Sequence, residues 1–203
     1  MAKVTLNDLL QRLKRPSTAS LGVLLIVGIA AGVLGWGAFN WSLELTNTVS
    51  FCISCHEMRA FPYEEYRDSI HFANRSGVRA TCPDCHVPKE WIFKVGRKVR
   101  ATNELFHKAI GSIDTPEKFR DRRLQLAMHE WVRMKKTDSR ECRNCHDYDY
   151  MDFSEQGRRS ASIHEVGFDE GKTCIDCHKG VAHALPPMNE EAINAELAAI
   201  VAD

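Results

Sequence analysis

The chain carries eight cysteines, and all of them fall into four pairs of one spacing. They read Cys52-Ile-Ser-Cys55-His56, Cys82-Pro-Asp-Cys85-His86, Cys142-Arg-Asn-Cys145-His146 and Cys174-Ile-Asp-Cys177-His178. With 9 histidines in 203 residues, a histidine after every pair would arise by chance with a probability of about 4 × 10⁻⁶, so the pattern is read as C-x-x-C-H haem attachment. Two thiols three positions apart can form thioethers to both vinyl groups of one porphyrin, and the adjacent imidazole can then reach the iron. Zinc held by cysteine pairs would leave the recurring histidine unexplained. Disulfides of the thioredoxin type would need a βαβ context, which the sequence lacks. The reading is four covalently bound c-type haems on Cys52, Cys55, Cys82, Cys85, Cys142, Cys145, Cys174 and Cys177, with His56, His86, His146 and His178 as proximal ligands.

A six-coordinate haem needs a second axial ligand, and five histidines remain for that task. An internal repeat selects among them. Cys52 and Cys82 are 30 residues apart, Cys142 and Cys174 are 32 apart, and each second motif is preceded by the same tripeptide, Ser69-Ile70-His71 and Ser162-Ile163-His164. His71 and His164 are therefore the first distal ligands, and identical context suggests identical work in two duplicated dihaem units. His183, close behind the last motif, is the third. His107 and His129 lie within helical patterns and are read as non-ligating. For the first haem the sequence offers Met58, two residues past His56, since a thioether can ligate haem iron. Tyr148 occupies the matching position in the second half.

The elements that must carry these sites divide the chain. Residues 16–43 contain no charge, and Leu21 to Phe39 reads LGVLLIVGIAAGVLGWGAF, long enough as a helix to cross about 30 Å of hydrocarbon. It is read as an uncleaved anchor over residues 18–41; its apolar core exceeds a usual signal-peptide h-region, and no clean small-x-small cleavage site follows. Lys3, Arg12, Lys14 and Arg15 against Asp8 keep residues 1–17 cytoplasmic and export the rest. Trp36 and Trp41 fit the outer interface. Gly28 and Gly32 form one G-x-x-x-G, a pairing spacing that leaves a homo-oligomer open. The expected layout is an anchor, a periplasmic tetrahaem domain over 42–188 with halves at about 50–110 and 140–186, and an acidic tail at 189–203, all mainly α with extensive loops. The chain is assigned to the bacterial inner membrane, single-pass.

Two long helices are expected within the domain. One lies between Lys89 and Ile110, where apolar residues recur at near-helical spacing and six basic residues face two acids, with Arg100 and Glu104 as an i,i+4 pair. The other runs from Pro116 through Lys136 with Thr115 as its N-cap, and its Met128 and Met134 are read as packing residues. The Ala-rich tail is expected as a weak helix or an unstructured end open to a partner. With 27 basic and 27 acidic residues the formal charge is zero, so no global field favours nucleic acid. A hydrophobic share of 44% and a mean hydropathy of −0.32 exclude a polytopic membrane protein. Four haems with ionised propionates would add about −4 to −8, which the basic 89–108 stretch would offset internally.

The motifs CISCHEM, SIH before TCPDCHVP, ECRNCH and TCIDCHKGVAH resemble the NapC/NirT family of membrane-anchored multihaem cytochromes, over nearly the whole chain and most closely its NapC branch. The resemblance implies a quinol dehydrogenase that takes electrons from menaquinol or ubiquinol and feeds a periplasmic reductase, nitrate reductase for that branch. It implies Met58 rather than His56 on the first iron, with the opposite face open beside the quinol site. It also carries over Lys98 and Glu104 as quinol-site residues, although six positions on a straight helix separate them by about 240°. The chain departs from the pattern at Lys89, where relatives often have histidine. Two other readings stay open on the residues alone: a haem-based terminal reductase of a small oxidant such as nitrite, and a passive electron-transfer module without a quinol site.

Overall fold

The computed structural model describes Asn7 and residues 16–202. The basic flank on which the orientation rests, Lys3 to Arg15, lies outside those residues. Among the described residues every regular element is helical. They divide into two compact units, one ending at Glu44 and one beginning at Leu45.

The first unit is one helix, α1, Leu21–Leu45. At 1.5 Å per residue its 25 residues span about 37 Å. Its apolar side chains point outward on all sides, Leu25, Ile26, Val33 and Leu34 among them. An 18-residue apolar stretch with no buried residue matches a lipid environment, and α1 is long and apolar enough to cross a membrane.

The second unit is built on α2 (Trp91–Ala109), α3 (Pro116–Lys136), α4 (Arg158–Asp169) and α5 (Glu190–Ala202). Short helices and turns carrying the cysteines join them. The start of α3 follows its sequence signals: Thr115 Oγ1 accepts the Lys118 amide at 3.3 Å, and Pro116 fills the first turn. Trp131 on α3, Ile175 in the last cysteine motif and Ile193 and Leu197 on α5 form the buried apolar cluster, with Met128, Met134 and Met188 packed on it. The methionines of α3 are thus packing residues.

Of the two expectations for the tail, the helix is the one observed, and its packing goes beyond it. It is a helix docked on α3, with Ile193 at 7% and Leu197 at 0% exposure. Ile193 and Leu197 are four positions apart and form one helical face; the acidic, Ala-rich composition had drawn the reading away from that stripe.

Past α3 the chain reverses through two successive non-glycine residues in the left-handed region, Asp138 (φ 51°) and Ser139 (φ 49°). Such residues cost of order 1–3 kcal/mol each unless their surroundings hold them. Ser139 is fully buried; its amide donates to the Met134 carbonyl at 2.7 Å, and its Oγ accepts the Ile175 amide at 3.2 Å. This one side chain therefore ties the approach to the third cysteine motif to the fourth.

Candidate haem and quinol sites

The second motif of each half sits on a one-turn helix, Cys82–His86 and Cys174–Cys177, entered through the same capping box. Asp84 accepts from the Thr81 amide at 2.7 Å, and Asp176 accepts from the Thr173 amide at 2.8 Å. Helical spacing puts both thiols of a motif on one side, as two bonds to one porphyrin edge require. Lys135 pairs with Asp176 at 2.6 Å and holds its carboxyl below the usual range against the opposing effect of burial. Between motifs, the Cys52 sulfur lies close enough to that of Cys82, and the Cys142 sulfur to that of Cys174, to perturb each other, so each half brings its two attachment sites together.

Three pairs of imidazoles face each other. The ring centres of His86 and His183 are 6.2 Å apart, those of His71 and His146 are 6.2 Å apart, and those of His164 and His178 are 5.8 Å apart. An imidazole nitrogen bonds a metal at about 2.0–2.1 Å and the ring centre lies about 1.2 Å further, so rings on opposite sides of one iron stand roughly 6.4 Å apart. The three spacings approach that value. Each pair joins one motif histidine to one of the three residues singled out as distal.

The second ring nitrogen of most of these residues is already committed. His86 Nδ1 meets Glu130 Oε2 at 3.2 Å, His71 Nδ1 the Val181 carbonyl at 3.3 Å, His183 Nδ1 the Pro62 carbonyl at 3.1 Å and His164 Nδ1 the Gln156 Oε1 at 2.7 Å. A proton held on Nδ1 by such an acceptor leaves Nε2 as the ligating atom. Burial, reinforced by neighbouring imidazoles, pushes the His183 and His178 pKa values down, and iron binds the neutral ring. Burial opposes ionisation of Glu130, but His86, Arg133 and Arg97 outweigh it and keep the carboxyl far below its usual range.

Two local devices place His183. Gly180 adopts φ +76°, and a Cβ there would meet Leu185 Cγ at 2.9 Å, so the turn behind the fourth motif requires glycine. Arg123 then grips Glu65 at 2.6 Å through both nitrogens, while the Ala184 amide donates to Glu65 at 3.0 Å. The Pro62 carbonyl that receives His183 lies in a π turn, Arg59–Tyr63; proline cannot donate to the α ladder, and a widened turn accommodates it.

The first motif behaves otherwise. His56 commits both nitrogens to protein: Nε2 to the Asp114 carbonyl at 3.1 Å, and Nδ1 to Glu57 and Lys108, each at 3.3 Å. Glu57 is buried, and Lys108, at 2.6 Å, holds its carboxyl below the usual range although burial alone would raise it. Met58 instead lines a small cavity of about 60 Å³ together with Cys52, Cys82, His86 and His183. Tyr148, its counterpart in the second half, stacks on Phe168 at 4.9 Å.

Lys98 and Glu104 both lie on α2 and both act electrostatically on the Cys52 sulfur, in opposite directions. Lys98 Nζ also donates to the Thr46 carbonyl at 2.7 Å. Glu104 pairs with Arg97 at 2.8 Å, which corrects the expected Arg100 pairing. Arg97 in turn donates to the His86 carbonyl at 3.2 Å. Of the remaining histidines, His107 bonds Ser112 Oγ at 2.8 Å and His129 is exposed.

The NapC/NirT cytochrome c family, N-terminal region, matches residues 14–188. The chain belongs to the NapC/NirT cytochrome c family. It is 54% identical to the cytochrome c-type protein NapC of Escherichia coli (strain K12), over 87% of this chain and 88% of the relative. It is 57% identical to the denitrification system component NirT of Stutzerimonas stutzeri, over 91% and 93%. A putative tetraheme cytochrome-c type of Allochromatium vinosum is 49% identical, over 88% and 95%. No solved structure matches the chain.

The donor set fits the cofactors of a NapC/NirT cytochrome: four covalent c-type haems, one per cysteine pair. Near the third pair, the buried Asn144 Nδ2 has no hydrogen-bond partner among the described residues, a polar donor suited to an acidic haem edge. Sequence reasoning missed Glu130, Gln156 and the Asp114 carbonyl, because each meets its histidine only through the fold.

Proposed function

We propose that this cytochrome oxidises membrane quinol and passes the electrons to a soluble periplasmic reductase. The observation that carries the proposal is the asymmetry of the first motif, where His56 is fully engaged by protein and Met58 lines the cavity with Cys52. We assign Met58 to the first iron, with one face left for substrate. His86 with His183, His146 with His71 and His178 with His164 are assigned to the other three. The eight cysteines are the covalent attachments, in two duplicated dihaem units, and α1 is the membrane anchor of a domain exported to the periplasm.

When bound, the haems supply one-electron transfer along a covalently fixed chain. The protein's part begins with proton handling. Lys98 donates a hydrogen bond to a quinol oxygen and stabilises the charge that develops as its proton leaves. Glu104 accepts that proton, and Arg97, 2.8 Å away, orients the carboxylate. Quinol gives up two electrons and two protons; the electrons leave singly, and the protons pass to Glu104 and on to the aqueous side. The resemblance to the NapC branch makes nitrate reductase the first partner to test, and the NirT relative makes another denitrification reductase the second.

Lys98→Ala tests the site. In proteoliposomes under anaerobic conditions it should slow reduction by a menaquinol analogue by roughly 10- to 100-fold, while dithionite still reduces all four haems at the normal rate. Unchanged quinol kinetics would remove Lys98 from the site. A wild-type protein that quinol does not reduce would remove the function.

A further inference from the structure

We propose that α2 is an interfacial helix whose outward apolar stripe rests on the bilayer, a proposal that takes α1 as a membrane anchor. Three cations of the helix hold it to the rest of the domain. Arg97 reaches the His86 carbonyl at 3.2 Å and Glu130 at 3.9 Å, Lys98 reaches Thr46 at 2.7 Å and Lys108 reaches Glu57 at 2.6 Å. At about 100° per residue, Ile92, Val95, Val99, Phe106 and Ile110 share an arc of about 60° on the opposite side. Ile92 is 65% exposed, Val99 64%, Phe106 59% and Ile110 58%.

A helix that turns its charges to the protein and its apolar face outward needs an apolar partner. The lipid surface is the occupant the chain itself supplies, because six residues separate the end of α1 at Leu45 from Cys52 and confine this unit to the neighbourhood of any membrane α1 enters. Exposed Lys89 and Arg100 flank the stripe, a complement to anionic phosphates. Docked in this way, α2 would set Lys98 and Glu104 at the depth from which quinol leaves the hydrocarbon.

Full-length haem-loaded protein in vesicles of equal phosphatidylcholine and phosphatidylglycerol tests this, with a lipid bearing a photoreactive diazirine near the top of its acyl chain. After irradiation, peptides covering residues 91–110 should carry lipid adducts in addition to peptides of α1. Adducts confined to α1 would overturn the proposal and leave the anchor standing. Adducts on neither would overturn both. Crosslinking of α2 to a second copy without lipid adducts would overturn it in favour of a dimer. The double variant Val99→Glu with Phe106→Glu should lose the α2 adducts and slow quinol-driven reduction several-fold, with the four-haem spectrum and dithionite reduction unchanged. Retained adducts in that variant would also contradict the proposal.

Discussion

Met58 and His56 stand two positions apart and face different surroundings. The imidazole spends both nitrogens on Asp114, Glu57 and Lys108, whereas the thioether lines the cavity between the first two motifs. If Met58 holds the first iron, Met58→Ala should alter the absorption and magnetic spectrum of one haem in four, and quinol-driven reduction should fall. Four unaltered haems would return His56 to the ligand role. Glu130 permits a second test at this scale. Its carboxylate accepts from His86 Nδ1 and makes that ligand more electron-rich. Glu130→Gln removes the negative charge, so the midpoint potential of the His86-ligated haem should rise by tens of millivolts, about 59 mV being tenfold for one electron. Potentiometric titration checks this; a potential that stays or falls refutes the Glu130 role.

At the level of elements, the crossed histidine pairs depart most from the repeat seen in the sequence. His164 faces His178 within its own half, but His71 faces His146 and His183 faces His86. Identical Ser-Ile-His context therefore leads to different neighbours. The reason is spatial: the His71 ring bonds the Val181 carbonyl, 110 residues away, and Arg123 draws the Ala184 segment onto Glu65. Periodicity reports local neighbours and carries no record of such pairings. It did report α2 and α3, whose apolar spacing and Thr115-Pro116 cap are local signals, and it missed the docking of α5. His71→Ala should open the third haem to cyanide while the second stays six-coordinate, as electron paramagnetic resonance of the variant and of His183→Ala would distinguish. Cyanide binding at the second haem in His71→Ala would break the crossed pairing. Leu197→Ala should destabilise the domain by about 2–5 kcal/mol, the usual cost of truncating a fully buried leucine. A thermal midpoint unchanged from the wild type would mean that α5 adds nothing to the core.

For the whole molecule, zero net charge conceals an arrangement in which protein carboxylates, Glu57 among them buried, already pair with two of the cations of α2. Lys108 is bound to Glu57, and Arg97 to Glu104 and Glu130, so these cations offset protein carboxylates before any haem propionate. The haem count was legible because thioether attachment fixes residue type and spacing together, and α1 was legible because lipid demands an unbroken apolar run. The proposed electron flow from quinol to a reductase belongs to the assembled chain, and one anaerobic experiment addresses it directly. The four-haem protein in proteoliposomes is reduced with menaquinol, the excess is removed, and purified periplasmic nitrate reductase with nitrate is added. Full reduction by quinol followed by complete reoxidation that requires both reductase and nitrate is the predicted result. Haems that stay oxidised with quinol, or that nitrate or nitrite reoxidises without any reductase, would contradict it.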